Sequence, residues 1–124
     1  MKLFYLILTS FALSFMQSAD KQFDQAESAL KRNNAAQVVS LGGDKILLNI
    51  EGKDGVYSKS QAALMLKNFF SKHPCRSFSY SHKGQQGKST AVGIGDYKSE
   101  TQFRVTVQFK ASGSSYRLER LSIE

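Results

Sequence analysis

Between Ser58 and Lys83, in the stretch SKSQAALMLKNFFSKHPCRSFSYSHK, the apolar positions change their period once. Ala62, Met65, Leu66, Phe69 and Phe70 recur at the spacing of one broad helical stripe, with Lys59, Lys67, Asn68, Ser71 and Lys72 on the polar side. Ser58 and Gln61 fit a capping box, in which hydroxyl and amide satisfy N–H groups that the first turn leaves free. The spacing therefore predicts a helix that begins at Ser58. Pro74 cannot continue it and pushes His73 toward extended geometry, so it ends there. From Ser77 the period is two: Phe78, Tyr80 and His82 on the inner side of a strand, Ser77, Ser79, Ser81 and Lys83 on the other.

Upstream, Asp20 to Arg32 reads as a first helix with Phe23, Ala26 and Leu30 on its stripe and Asp24 and Glu27 near its positive end. Asn34 caps a short second helix that holds Val38 and Leu41 inward and stops at Gly42. Ile46 to Ile50, a turn at Gly52, Asp54 and Gly55, and then Val56 and Tyr57 read as a strand or hairpin.

Downstream, three loops fix registers. A turn at Ser99 and Glu100 pairs Asp96 with Phe103, Ile94 with Val105, Val92 with Val107 and Thr90 with Phe109, so apolar residues of both strands share a face. A loop through Gly84 to Lys88 puts His82 beside Thr90, Tyr80 beside Val92 and Phe78 beside Ile94. A loop at Ala111 to Ser114 puts Tyr116 beside Phe109 and Leu118 beside Val107. The inward phase then slips to Leu121 and Ile123, which predicts a bulge at Glu119 or Arg120. Gly93 and Gly95 fall on the outer face in this register. The fold class that follows is α+β, with N-terminal helices packed on the concave face of a strongly curved antiparallel sheet.

With 124 residues the chain makes one domain, over 20–124, behind a leader. Lys2 and the apolar run from Leu3 to Met16 read as a signal peptide over residues 1–19, cut after Ala19. The run is shorter than the roughly 20 residues a spanning helix needs, so no stable membrane anchor is expected after cleavage, and the mature chain is periplasmic or secreted. Without that segment the balance is sixteen basic against ten acidic residues, or +6. Eleven of the basic and four of the acidic groups follow Tyr57, so the long helix and the sheet hold the excess. The single cysteine, Cys75, leaves no internal disulfide to form.

No cofactor motif emerges. Gly93-Ile94-Gly95 lies within a strand pattern and lacks the third glycine of a dinucleotide fingerprint. His73, Cys75 and His82 have zinc-binding chemistry, but His-x-Cys is not the spacing of a familiar site and a fourth ligand is missing. Ser77, Ser79 and Ser81 lack the contexts of a hydrolase nucleophile and read as the wet face of a strand. Arg104, Lys110 and Arg117 alternate with Thr106 and Gln108 on the outer face, while the aromatics point inward, so the stacking platform of a nucleic-acid binder is not expected.

N-terminal helices, the last one long, followed by a strongly bent sheet of consecutive hairpins resemble the nuclear transport factor 2-like cone, of the cystatin-like class. VYSKSQAALMLKNFF (Val56 to Phe70), SFSYSHKG (Ser77 to Gly84), TQFRVTVQFK (Thr101 to Lys110) and YRLERLSIE (Tyr116 to Glu124) resemble more closely a bacterial family of small exported proteins with that fold and no assigned activity. The resemblance covers residues 20–124 and implies little about function, since one fold hosts many. It implies a cone whose pocket candidates are Phe69, Phe70, Phe78, Tyr80, His82, Val107 and Tyr116. Two readings follow: a non-enzymatic domain that holds a small apolar ligand in the cone, or one that presents its sheet to a protein partner, a homodimer included. The alternative from another class is a cone-type lyase or isomerase using Tyr80 or His82. Against it stands a structural reading, in which His82 and Tyr116 cap the core edge and Asp96 ends a strand.

Overall fold

In the computed structural model, whose described residues are 18–124, the order of elements is α1 (Asp20–Lys31), α2 (Ala35–Ser40), β1 (Gly42–Ile50), β2 (Lys53–Ser58), α3 (Lys59–Lys72), β3 (Ser77–Gln86), β4 (Thr90–Lys98), β5 (Gln102–Ser112) and β6 (Ser115–Ile123). Of the signal peptide expected over residues 1–19, residues 1–17 lie outside the described residues. Ala19 is buried in the core, and its carbonyl accepts from the Phe23 N–H at 2.9 Å.

The helix caps form as their residue types require. The Ser58 hydroxyl accepts from the Gln61 N–H at 3.3 Å, and the Gln61 amide oxygen accepts from the Ser58 N–H at 3.2 Å. Asn34 caps α2 through a bond from the Gln37 N–H at 3.0 Å. Between α1 and α2 the chain turns at Asn33, whose φ of 55° is a conformation asparagine tolerates better than most residues.

The six strands form one sheet in the order β2-β1-β6-β5-β4-β3. Every neighbouring pair is antiparallel except β1 and β6, which run parallel, so the N-terminal hairpin closes onto the last strand rather than beginning a simple meander. The helices cover one face. Phe23 and Leu30 of α1, Val38 of α2, and Ala62, Leu66, Phe69 and Phe70 of α3 bury their side chains against Ile46, Leu48, Val105, Val107, Phe109, Leu118, Leu121 and Ile123.

Two hairpin registers differ from the expected ones by enough to turn side chains over. The β4–β5 connection is three residues, Ser99 to Thr101, so Tyr97 pairs with Phe103, Gly95 with Val105, Gly93 with Val107 and Ala91 with Phe109. This one-residue slip exchanges the faces of β4. Gly93 and Gly95 face inward, whereas Thr90, Val92, Ile94 and Asp96 face outward. The cause is aromatic bulk on the concave side. A Cβ at Gly93 would lie 2.8 Å from Phe23 Cε1 and 2.9 Å from Tyr80 Cε1, and one at Gly95 would lie 2.6 Å from Phe78 Cζ. Only glycine leaves those rings their seats.

In β3 the strand continues through Gly84 to Gln86, and the loop is Gly87 to Ser89. Tyr80 pairs with Gly95 and His82 with Ile94, which leaves Ser81 as a bulge. The expected bulge in β6 is present at Glu119: Leu118 pairs with Phe109 and Arg120 with Gln108. Its hairpin turn is tighter than expected, two residues long with Gly113 at φ 62°, so Tyr116 pairs with Ala111 rather than Phe109.

Candidate functional site

Rings occupy the concave side of the sheet. Phe23 of α1 stands edge-on between Tyr80 of β3 and Phe109 of β5, with centroids 5.6 and 5.2 Å away. Phe69 of α3 packs on Tyr97 and Phe103 at 5.6 and 5.1 Å, and Phe70 stacks on Tyr97 at 6.3 Å. Such pairs each contribute roughly 0.5–1.5 kcal/mol beyond their burial. Of the expected pocket residues, Phe69, Phe70, Phe78, Val107 and Tyr116 are buried in this core and Tyr80 packs against it.

His82 does not join them. The bulge at Ser81 shifts the alternation, so His82 is exposed on the outer face, with Nε2 3.4 Å from where a Cβ on Gly84 would stand. The expected pairing of His82 with Thr90 is therefore absent, and His82 does not cap the core edge with Tyr116. Tyr116 instead accepts from the Gln85 amide at 2.6 Å, and Gln85 was expected in a loop. The bulge restores Gln85 to the inner phase, a change that the Ser/His/Lys/Gly composition of β3 does not signal.

The Tyr80 hydroxyl donates to the Phe23 carbonyl at 2.8 Å. Burial pushes its pKa up, and the Glu27 and Asp24 carboxylates push it further, so the phenol stays protonated. The Lys83 ammonium lies 5.4 Å over the Tyr80 ring. Tyr80 thus serves as a tie between α1 and the sheet, and it has no acid–base partner in His82.

At the other end of the sheet, His73 ends α3 with its ring 5.1 Å from Phe69 and 4.9 Å from Phe103. Its Nδ1 is bonded to the Glu100 carboxylate, and its Nε2 is 4.0 Å from Glu51 Oε1. The Ser99 hydroxyl, the Glu100 backbone N–H and His73 together lower the Glu100 pKa to about 2. The Tyr97 hydroxyl donates to the His73 carbonyl, and burial raises its pKa, with Cys75 and Glu100 adding to the shift. The Cys75 N–H donates to Asn33 Oδ1 at 2.8 Å. Burial also raises the Cys75 pKa against the pull of Lys31, which favours the inert thiol. His73, Cys75 and His82 point to different surroundings, and no three His, Cys, Asp or Glu side chains converge as metal ligands among the described residues. Glu100 and Tyr97 were not singled out from the sequence, because the shorter turn assumed there left both without a role.

The outer face of the sheet is read from the ladder. Val56, Leu47, Arg120, Gln108, Val92 and Gly84 follow one another across the six strands. The adjacent row runs Asp54, Asn49, Ser122, Thr106, Ile94 and His82. Apolar side chains thus stand at both flanks of the face: Val56 is 58% exposed, Leu47 and Ile94 are half-buried, and Val92 is 8% exposed. The centre is polar. Gln108 bonds Glu119 at 2.9 Å, and Arg120 lies 3.9 Å from Asp54.

Residues 23–124 match the profile of a domain of unknown function, DUF4783, and the chain belongs to that family. A DUF4783 family protein from Bacteroides uniformis superposes with a TM-score of 0.75 at 26% identity, covering 82% of this chain and 94% of that one. An uncharacterised cystatin-fold protein from Novosphingobium aromaticivorans gives 0.66 at 14% identity, covering 88% and 99%. An NTF-2 like protein of unknown function from Shewanella oneidensis gives 0.59 at 10% identity, covering 83% and 93%. These likenesses establish the nuclear transport factor 2-like, cystatin-like fold. No curated protein matches the sequence.

Proposed function

We propose that this DUF4783 domain is a non-enzymatic protein-contact module whose partner is a second copy of itself, joined through the outer face of the sheet. The observation that carries the reading is the register of β4, which turns Ile94, half-buried, and Val92, only 8% exposed, onto the face that already bears Leu47 and Val56. On that face Val56 is 58% exposed and Leu47 and Ile94 are half-buried, which leaves apolar surface for a partner to cover. A two-fold axis between two such faces, parallel to the strands and over the β6–β5 seam, lays the β2 flank of one copy on the β3 flank of the other. Val56 and Leu47 then meet Val92 and Ile94, and Asp54 meets His82, as an isologous interface requires.

The reading of a small apolar ligand in the cone has less support, since Phe23, Phe69 and Phe70 fill that side and the hydroxyls of Tyr80 and Tyr116 are engaged within the chain. A lyase or isomerase would need His82 or a titrating Tyr80 inside, and the geometry offers neither. Sedimentation equilibrium of the wild type and of Leu47→Asp/Ile94→Asp tests the proposal. The expected result is a wild-type dimer, and a variant that is monomeric with a thermal midpoint within a few degrees of wild type, as half-exposed sites predict. A wild type that stays monomeric, or a variant dimer of unchanged strength, overturns it.

A further inference from the structure

A groove of about 190 Å³ lies between the β1–β2 turn and the last turns of α3, apart from the outer sheet face. Ile50, Met65 and Phe69 supply its apolar surface, while Lys53 and Lys72 stand exposed at its rim with Asn68 and Glu51. The volume suits one ring or branched group, since a cavity of about 150 Å³ accepts benzene. The charges at the rim are not balanced. Glu51 faces His73 Nε2 at 4.0 Å, and among the described residues neither Lys53 nor Lys72 has a carboxylate within ion-pair distance. An apolar floor whose mouth carries two free ammonium groups and one amide against the single Glu51 carboxylate, which is turned toward His73, keeps a net positive charge and is complementary to a molecule with an apolar body and an anionic head.

We propose that this groove binds a small free carboxylic acid bearing one aromatic or branched apolar group. The body covers Met65 and Phe69, and the carboxylate lies between the Lys53 and Lys72 ammonium groups with Asn68 as a further donor. The proposal is independent of the sheet-face contact.

The test is a titration of the isotope-labelled chain with 3-phenylpropionate, followed by amide shifts, with 3-phenylpropionamide as the neutral control. Saturable shifts centred on Ile50, Met65, Asn68 and Phe69 are expected. They should weaken roughly tenfold, a change of about 1.4 kcal/mol, for the amide and for Lys53→Gln/Lys72→Gln. Both lysines are exposed, and the spectrum of the variant itself reports its fold. Absent or non-saturating shifts, or equal binding by the amide or the variant, overturn the site. A peptide ending in a free phenylalanine carboxylate serves as the third arm. Tighter binding of the peptide than of the free acid would assign the groove to a protein C-terminus and overturn the small-molecule assignment.

Discussion

A methyl group at Gly95 would stand 2.6 Å from Phe78 Cζ and 2.7 Å from the Ser79 carbonyl oxygen, and the backbone atom cannot rotate away. Replacing glycine by alanine restricts the unfolded chain, which favours folding by about 0.4–1 kcal/mol. Overpacking costs about 1–3 kcal/mol, so Gly95→Ala should destabilise on balance. Urea denaturation measures this, and an unchanged or raised midpoint would contradict the inward placement of Gly95. The sequence reading put the two glycines outside because Val92 and Ile94 are the more apolar pair. What reverses that choice is ring bulk from other elements, Phe23 of α1 and Tyr80 of β3 at Gly93 and Phe78 of β3 at Gly95, and alternation within β4 carries no trace of it. Glu100 gives a second residue-scale test. Its folded pKa of about 2 lies below the usual 4.5, so its contribution is present above pH 4.5 and is lost as the pH falls toward 2. Wild type should therefore lose more stability over that interval than Glu100→Gln does, as read from thermal midpoints. Parallel pH profiles would remove Glu100 from the account.

At the scale of elements, what was legible depended on how local the signal is. The caps of α2 and α3 sit within three residues of the groups they satisfy, so Asn34, Ser58 and Gln61 identify them without any tertiary information. Ser58→Ala should cost about 1 kcal/mol in thermal or urea melts, and Gln61→Ala a part of that, because the box is reciprocal. No loss with either variant would mean that packing alone holds the start of α3. The β6 bulge was legible too, since the inward phase visibly slips between Leu118 and Leu121. The bulge at Ser81 was not, because Ser79, Ser81 and Gly84 reveal no phase. The same ambiguity moved His82 from the expected cone to the outer face. It also concealed Gln85 as the partner of Tyr116.

For the whole molecule, helices on one face of a bent sheet followed from composition and period, whereas the parallel seam of β1 and β6 joins the two ends of the domain and has no sequence signature. Most pocket candidates proved to be core, which shifts the functional weight from the cone to the surfaces around it. The proposed contact is a statement about one face, and intermolecular NOEs in an equimolar mixture of isotope-labelled and unlabelled chains probe that face directly. NOEs are expected from the methyl groups of Leu47 and Val56 on one chain to those of Val92 and Ile94 on the other. Absence of intermolecular NOEs, or their appearance at α1 or α3 instead, would contradict it.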